Sequence, residues 1–214
     1  MRTAKFWMGT LLAGALALGY GCGSDASKDP VPQDVPQQQL PDAGTDAGVN
    51  LTLTDAQIAR VLQVANEGEV MLGQYAAPLA TDEAVRDFND QMVTEHTAVK
   101  QRLDALLAAE GITPEDSPLS LQLQTEVQQL MLILQGPNAP AKGAALDLAL
   151  ISAQLNAHAR TAFLADSLLS PQVSSEALAQ EAMAERQAVQ KHIDEAEDIQ
   201  SDLVLPPAMP PDEP

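Results

Sequence analysis

Between Val85 and Leu107 the apolar residues Val85, Phe88, Met92, Val99, Leu103 and Leu106 recur in steps of three, four and seven. That spacing lays one apolar stripe along an α-helix and fits no strand, where the faces alternate every second residue. His96 sits inside the stripe, four residues after Met92 and three before Val99. A helix of this pattern must bury its apolar face, and a buried polar group without a partner costs on the order of 1–3 kcal/mol. The rest of the chain must therefore supply something for His96 to meet.

The same periodicity recurs on either side. Thr54 and Gln57 have the form of a capping box ahead of Ile58, Val61, Leu62, Ala65, Leu72 and Ala76, a helix expected to end near Pro78. Thr81, Asp82 and Glu83 open the second helix, which carries His96 and stops at Gly111. Ser117-Pro118 starts a shorter third helix that Gly136-Pro137 breaks. A fourth takes Leu146, Leu150, Ile151, Leu155, Ala162 and Leu169 as its stripe and ends around Ser170-Pro171. Ser174 or Ser175 caps a fifth, with Leu178, Ala182, Val189, Ile193, Ala196 and Leu203 inward. Aromatic residues make up only 3% of the chain, so the core must be Leu, Val, Ile, Met and Ala, a palette suited to helix packing. The layout is hairpin, long crossover, hairpin. It predicts an all-α fold over 51–204: a ferritin-like antiparallel four-helix bundle with an additional helix in the long crossover.

The two ends read differently. Arg2 and Lys5 precede an apolar run from Phe6 to Leu18, the plan of a secretory signal over 1–21 and too short for a confident membrane span. Cys22 is the only cysteine, which rules out an intramolecular disulfide. Its place directly after the apolar run resembles the lipobox of bacterial lipoproteins, with Gly19 where Leu is usual and Leu18 one position further back. The resemblance implies lipidation at Cys22 and attachment to the outer membrane, since Gly23 and Ser24, the two residues after the cysteine, include no Asp. An ordinary cleaved signal is the alternative. Residues 22–50, rich in Pro, Gln, Asp and Gly, are expected to be a disordered tether, and 205–214 a disordered Pro-rich tail.

Formal net charge is −19, and −21 without Arg2 and Lys5. A chain this acidic lacks the electrostatic footprint of a nucleic-acid binder. No GxSxG, HExxH or Gly-rich phosphate loop occurs, so nucleophilic or zincin-type catalysis has no support.

Projected at about 100° per residue, each of the four long helices turns one ionisable group inward: Glu69, His96, His158 and His192. Asp147, Gln154 and Glu185 lie at the edges of the same faces as supporting groups, with Glu95 and Glu181 near them. Imidazoles and a carboxylate in a dry interior are the ingredients of a mononuclear Zn or Fe site. Equally, they can form a hydrogen-bonded network that fixes helix register without metal. The Glu-x-x-His motif of di-iron proteins is missing, because Val93, Leu155 and Val189 stand three before the histidines. Measured from a turn centred at Gln172, His158 and His192 are expected to be offset by roughly 9 Å along the axis.

The segments ANEGEVMLGQYA, FNDQMVTEH, LDLALISAQLNAHARTAF and AERQAVQKHIDEAEDI resemble the bacterial domain-of-unknown-function 4142 family, with Glu69, His96, Asp147, His158 and His192 as its most specific positions here. The resemblance implies a ferritin-like bundle exported to the cell envelope and no established activity. Two functions stand open at this point. One is a non-enzymatic envelope lipoprotein that binds a protein partner or forms structure, held to the membrane by lipid. The other is a metal-binding protein with one Zn or Fe ion.

Overall fold

The computed structural model describes residues 51–204. The expected signal over 1–21, Cys22 with its expected lipid, the expected tether over 22–50 and the expected tail over 205–214 lie outside the described residues. Five α-helices follow in order: α1 Asp55–Ala76, α2 Glu83–Glu110, α3 Pro118–Gln135, α4 Ala144–Leu164 and α5 Glu176–Val204. A single wide turn of π-helix, Ala165–Leu169, continues α4. No strand occurs among the described residues, which are all-α.

The helices begin and stop where local chemistry dictates. At α1 both halves of the capping box form: Thr54 Oγ1 accepts from Gln57 N–H at 3.3 Å and Gln57 Oε1 accepts from Thr54 N–H at 3.2 Å. Asp82 caps α2 through Val85 N–H, and Ser117 caps α3 through Ser120 N–H ahead of Pro118. Gly111 ends α2 at φ 67°, a left-handed conformation that a side chain would strain. Ser175 Oγ accepts from Leu178 N–H at the start of α5.

α1 packs chiefly on α2 and α4 on α5, while α2 lies beside α5 and α3 rests on α1. The α1–α2 contact is close enough that a Cβ at Gly73 would stand 2.7 Å from the Asn89 carbonyl oxygen, which only glycine permits. The core divides into two apolar clusters. One gathers Ile58, Leu62, Leu103, Leu107, Leu164 and Leu178; the other gathers Leu72, Phe88, Met92, Leu150, Ile151 and Ala196. On every long helix, a short polar stretch separates the residues of the first cluster from those of the second.

The axial offset expected between His158 and His192 is absent: their rings meet directly, with 3.1 Å between nitrogens. The expectation assumed a symmetric turn about Gln172. Instead α5 starts only at Glu176, and the connection 170–175 is tied beneath α1. Gln172 accepts from Leu53 N–H, and the Asp55 carboxylate accepts from Ser174 and Ser175 N–H at 2.8 and 2.9 Å. Three extended residues span about 10 Å, enough to absorb the offset.

Candidate metal centre

The polar stretches of the four long helices meet in one layer between the apolar clusters. α1 contributes Asn66 and Glu69, α2 contributes Glu95 and His96, α4 contributes Gln154 and His158, and α5 contributes Glu185 and His192. All three histidines of the chain are buried, His158 completely. Their ring centroids stand 5.0–5.4 Å apart in near-perpendicular or tilted arrangements. Phe88 meets His158 and His192 edge-on and closes the layer toward the second cluster.

Each imidazole is anchored by one nitrogen to a group that can only accept. His158 Nδ1 faces the Gln154 carbonyl oxygen at 2.9 Å. His192 Nε2 faces a Glu95 carboxylate oxygen at 2.9 Å. His96 Nδ1 faces Asn66 Oδ1 at 2.8 Å. The Asn66 amide hydrogens are both spent, on the Leu62 carbonyl and on Glu185 Oε2, so its oxygen is the atom that receives His96. A neutral imidazole that donates from one nitrogen carries a bare lone pair on the other. The bare nitrogens are therefore His158 Nε2, His192 Nδ1 and His96 Nε2, and the last has no hydrogen-bond partner at all.

The three rings converge. His158 Nε2 and His192 Nδ1 are 3.1 Å apart, and in the neutral tautomers set by their outer partners neither carries a proton toward the other; one nitrogen from each of the three rings lies within 4.8 Å of the others. Tetrahedral ligands bonded at 2.0–2.1 Å stand about 3.3 Å from one another. One pair is already at that spacing, and the third ring has to close by on the order of 1 Å to match it. A void of about 20 Å³, the room of one water or ion, borders Glu69, His96 and His192.

Burial holds the rings in the ligating form. It lowers His96 to about 3, helped by repulsion from His158 and His192. It lowers His158 to about 4 against the opposing bond to the Gln154 carbonyl. His192 is also lowered by burial, less so because its bond to Glu95 favours the charged form. Burial thus biases all three toward the neutral form that metal ligation requires. Glu69 moves the other way: burial raises it to about 8, so its 3.5 Å approach to His158 Nδ1 is no ion pair at neutral pH.

The expected ligand set thus comes together in part. His96, His158 and His192 form the close group; Glu69 borders the void with one carboxyl oxygen unpaired, outside the mutually close set. Of the supporting residues, Gln154 acts through its backbone carbonyl, and its side chain donates to Asn89 instead. Glu185 acts through Asn66. Asp147 does not belong to the site. It lies eleven residues, about 16 Å, up α4 from His158, and its carboxylate receives Thr81 N–H, Thr81 Oγ1–H and Asp82 N–H to clamp the first hairpin turn. Asn66, the orienting partner of His96, is new. Its signal was available, four residues after Leu62 and three before Glu69 on the inward face of α1.

The fold and the site together define an all-helical chain with a buried trio of second-nitrogen-anchored histidines. The chain belongs to the family described as Domain of unknown function (DUF4142), whose pattern matches residues 40–199. Comparison with curated proteins and with solved structures finds no match.

Proposed function

We propose that this chain is a mononuclear metal-binding protein of the cell envelope. It holds one Zn²⁺ or Fe²⁺ ion on His96, His158 and His192 inside a ferritin-like four-helix bundle, attached to a membrane through lipid on Cys22. The bundle reading rests on the two hairpins, the long crossover that carries α3, and the contacts of α1 with α2 and of α4 with α5. The envelope reading rests on the sequence before residue 51.

One observation carries the metal: two bare imidazole nitrogens 3.1 Å apart in a dry layer. Without a metal ion, or an added proton that burial disfavours, their lone pairs repel. Turning either ring's tautomer only moves the clash, onto the Gln154 carbonyl or the Glu95 carboxylate. A cation removes it and also uses the orphaned His96 Nε2. Asn66, Glu95 and the Gln154 carbonyl then serve as the outer partners that ligating histidines characteristically have. Imidazole-only ligation favours Zn, Fe, Cu or Ni over Mg or Ca. The reading is of a binding protein, for storage or sensing of the ion, since no nucleophile or second-metal motif accompanies the site.

Elemental analysis of the purified full chain tests this. About one equivalent of a first-row metal, lost in the His158→Ala/His192→Ala double variant, is the expected result. A protein that is fully folded and takes up no metal when offered Zn²⁺ or Fe²⁺ would overturn it, and the layer would then be a polar network that sets helix register.

A further inference from the structure

α3 stands apart from the histidine layer and contributes no residue to it. It rests on α1 and is joined to α4 by one ion pair, Glu126 with Arg160 at 3.2 Å. Its inward side buries Leu119, Leu123 and Leu134. The side turned away from the body shows Pro118, Leu121, Thr125, Gln128, Leu132 and Gln135, all exposed. Leu121 and Leu132 are 50% and 71% exposed. They are three helical turns apart and, at about 100° per residue, point within about 20° of one another.

Single exposed leucines are ordinary on a protein surface. Here their setting is not. The six outward residues follow one another in steps of three, four, three, four and three, the spacing of a coiled-coil seam with polar Thr125 and Gln128 between the two leucines. Their order also suits a second copy running the other way. In an antiparallel pair of α3 helices Leu121 faces Leu132, Thr125 faces Gln128 and Pro118 faces Gln135, and each match occurs twice about a two-fold axis. Thr125 Oγ1 gives its hydrogen to the Leu121 carbonyl at 2.9 Å and keeps lone pairs for a facing Gln128 amide. Pro118, Leu121, Gln122 and Thr125 border a shallow hollow on α3. That is the frame of four residues into which a side chain of a facing helix inserts, and in the antiparallel register the inserting side chain is Leu132.

Charge selects the occupant. Formal net charge is −19, and α2 and α5 expose Asp87, Asp90, Asp194 and Asp198, so two copies meeting through those helices repel. The outward stripe of α3 carries no charge, and Glu126, the one charged residue of this helix, is turned aside to Arg160. A basic partner finds no anion on the stripe, whereas an identical stripe meets it without repulsion.

We propose that the outward stripe of α3 pairs antiparallel with the same stripe of a second copy of this chain, giving a two-fold dimer. A contact of one helix with one helix buries less than about 1,200 Å², the range of transient interfaces, so the dimer exchanges with monomer. The pairing uses no residue of the histidine layer and stands whether or not a metal is bound.

Sedimentation equilibrium of the full chain from about 1 μM to about 1 mM tests it. A reversible monomer–dimer equilibrium is expected. Leu121→Asp and Leu132→Lys, each alone, should weaken self-association by about tenfold or more, with helical content by circular dichroism unchanged because both side chains are exposed. Mixed in equal amounts, the two variants should associate about tenfold or more tighter than either does with itself. The antiparallel register sets Asp against Lys in one match and leaves the other Leu121–Leu132 match intact, whereas a parallel pair brings neither together. Three results would each overturn the proposal: a chain that stays monomeric to about 1 mM, including one whose α3 engages phosphatidylcholine vesicles instead; a dimer unmoved by both substitutions; or a mixture that associates no more tightly than its components.

Discussion

Replacing Glu185 by Gln gives a direct measure of what the polar layer costs. Glu185 is buried on α5, with Oε2 accepting from Asn66 at 3.0 Å and Oε1 unpaired. Burial raises its pKa from 4.5 to about 7; the Asn66 bond and Arg102 oppose the rise and Glu181 adds to it. Because the folded value lies above the unfolded one, the unfolded chain gives up this proton first as pH rises. Stability from this group is therefore intact below pH 4.5 and declines as pH climbs, levelling off above about 7. At about 1.36 kcal/mol per pH unit the full loss is about 3 kcal/mol. Gln cannot ionise and escapes it. Any penalty from the new amide, whose nitrogen replaces the unpaired Oε1, is the same at every pH and cancels in the comparison. Urea denaturation of metal-free wild type and Glu185→Gln at pH 4.5 and pH 8.5 supplies the numbers. The stability difference between the two proteins should shift in favour of the variant by about 3 kcal/mol between the two conditions. A difference that stays constant to within about 0.5 kcal/mol would show that Glu185 is solvated in the folded protein and would undo the description of a dry layer.

Three further outcomes follow from single contacts. Asn66→Ala leaves all three histidines in place but removes the anchor of His96 Nδ1, so metal affinity should fall by about 10- to 100-fold in a chelator competition, with stoichiometry unchanged at saturation. Gly73→Ala should destabilise by about 2 kcal/mol or more in thermal melts, despite the usual gain of alanine in a helix, because the new methyl meets the rigid Asn89 carbonyl; a stabilised variant would refute the close helix approach. Asp147→Ala should cost about 2–3 kcal/mol through the loss of its bonds to Thr81 and Asp82, with metal content unaltered; lost metal would return Asp147 to the site.

Helix positions were legible because their causes are local. Thr54 with Gln57, Asp82, Ser117-Pro118 and Gly111 act within a turn of themselves, and each begins or ends a helix where its chemistry requires. Inward faces were nearly as legible, since a period of 3.6 residues is written in the chain; Ile58, Phe88, Leu150 and Leu178 are all fully or almost fully buried as their stripes demand. Met71, beside the α1 stripe, is 46% exposed, because an unbranched apolar residue at the edge of a stripe carries no mark of which side it takes.

Axial position is another matter. A stripe tells which way a residue points and nothing about its height along a neighbouring helix. Height depends on the path of the connections, and here the segment 170–175, tied to Asp55 and Leu53, brings His158 and His192 level. The same three-dimensional facts send Asp147 to the hairpin turn and set Glu69 beside the histidine group rather than in it. They also decide which ring nitrogen each histidine leaves bare, since that depends on acceptors donated by other helices or by the backbone.

The order of apolar and polar residues thus determined five helices, their facing surfaces and the inward turn of every histidine, because these are consequences of backbone geometry within a few turns. Tertiary structure alone decided that the histidines share one level, and that Asp147 lies at the hairpin turn while Glu69 stands beside the histidine group. Both depend on how far separate helices slide and part, distances set by packing between segments dozens of residues apart.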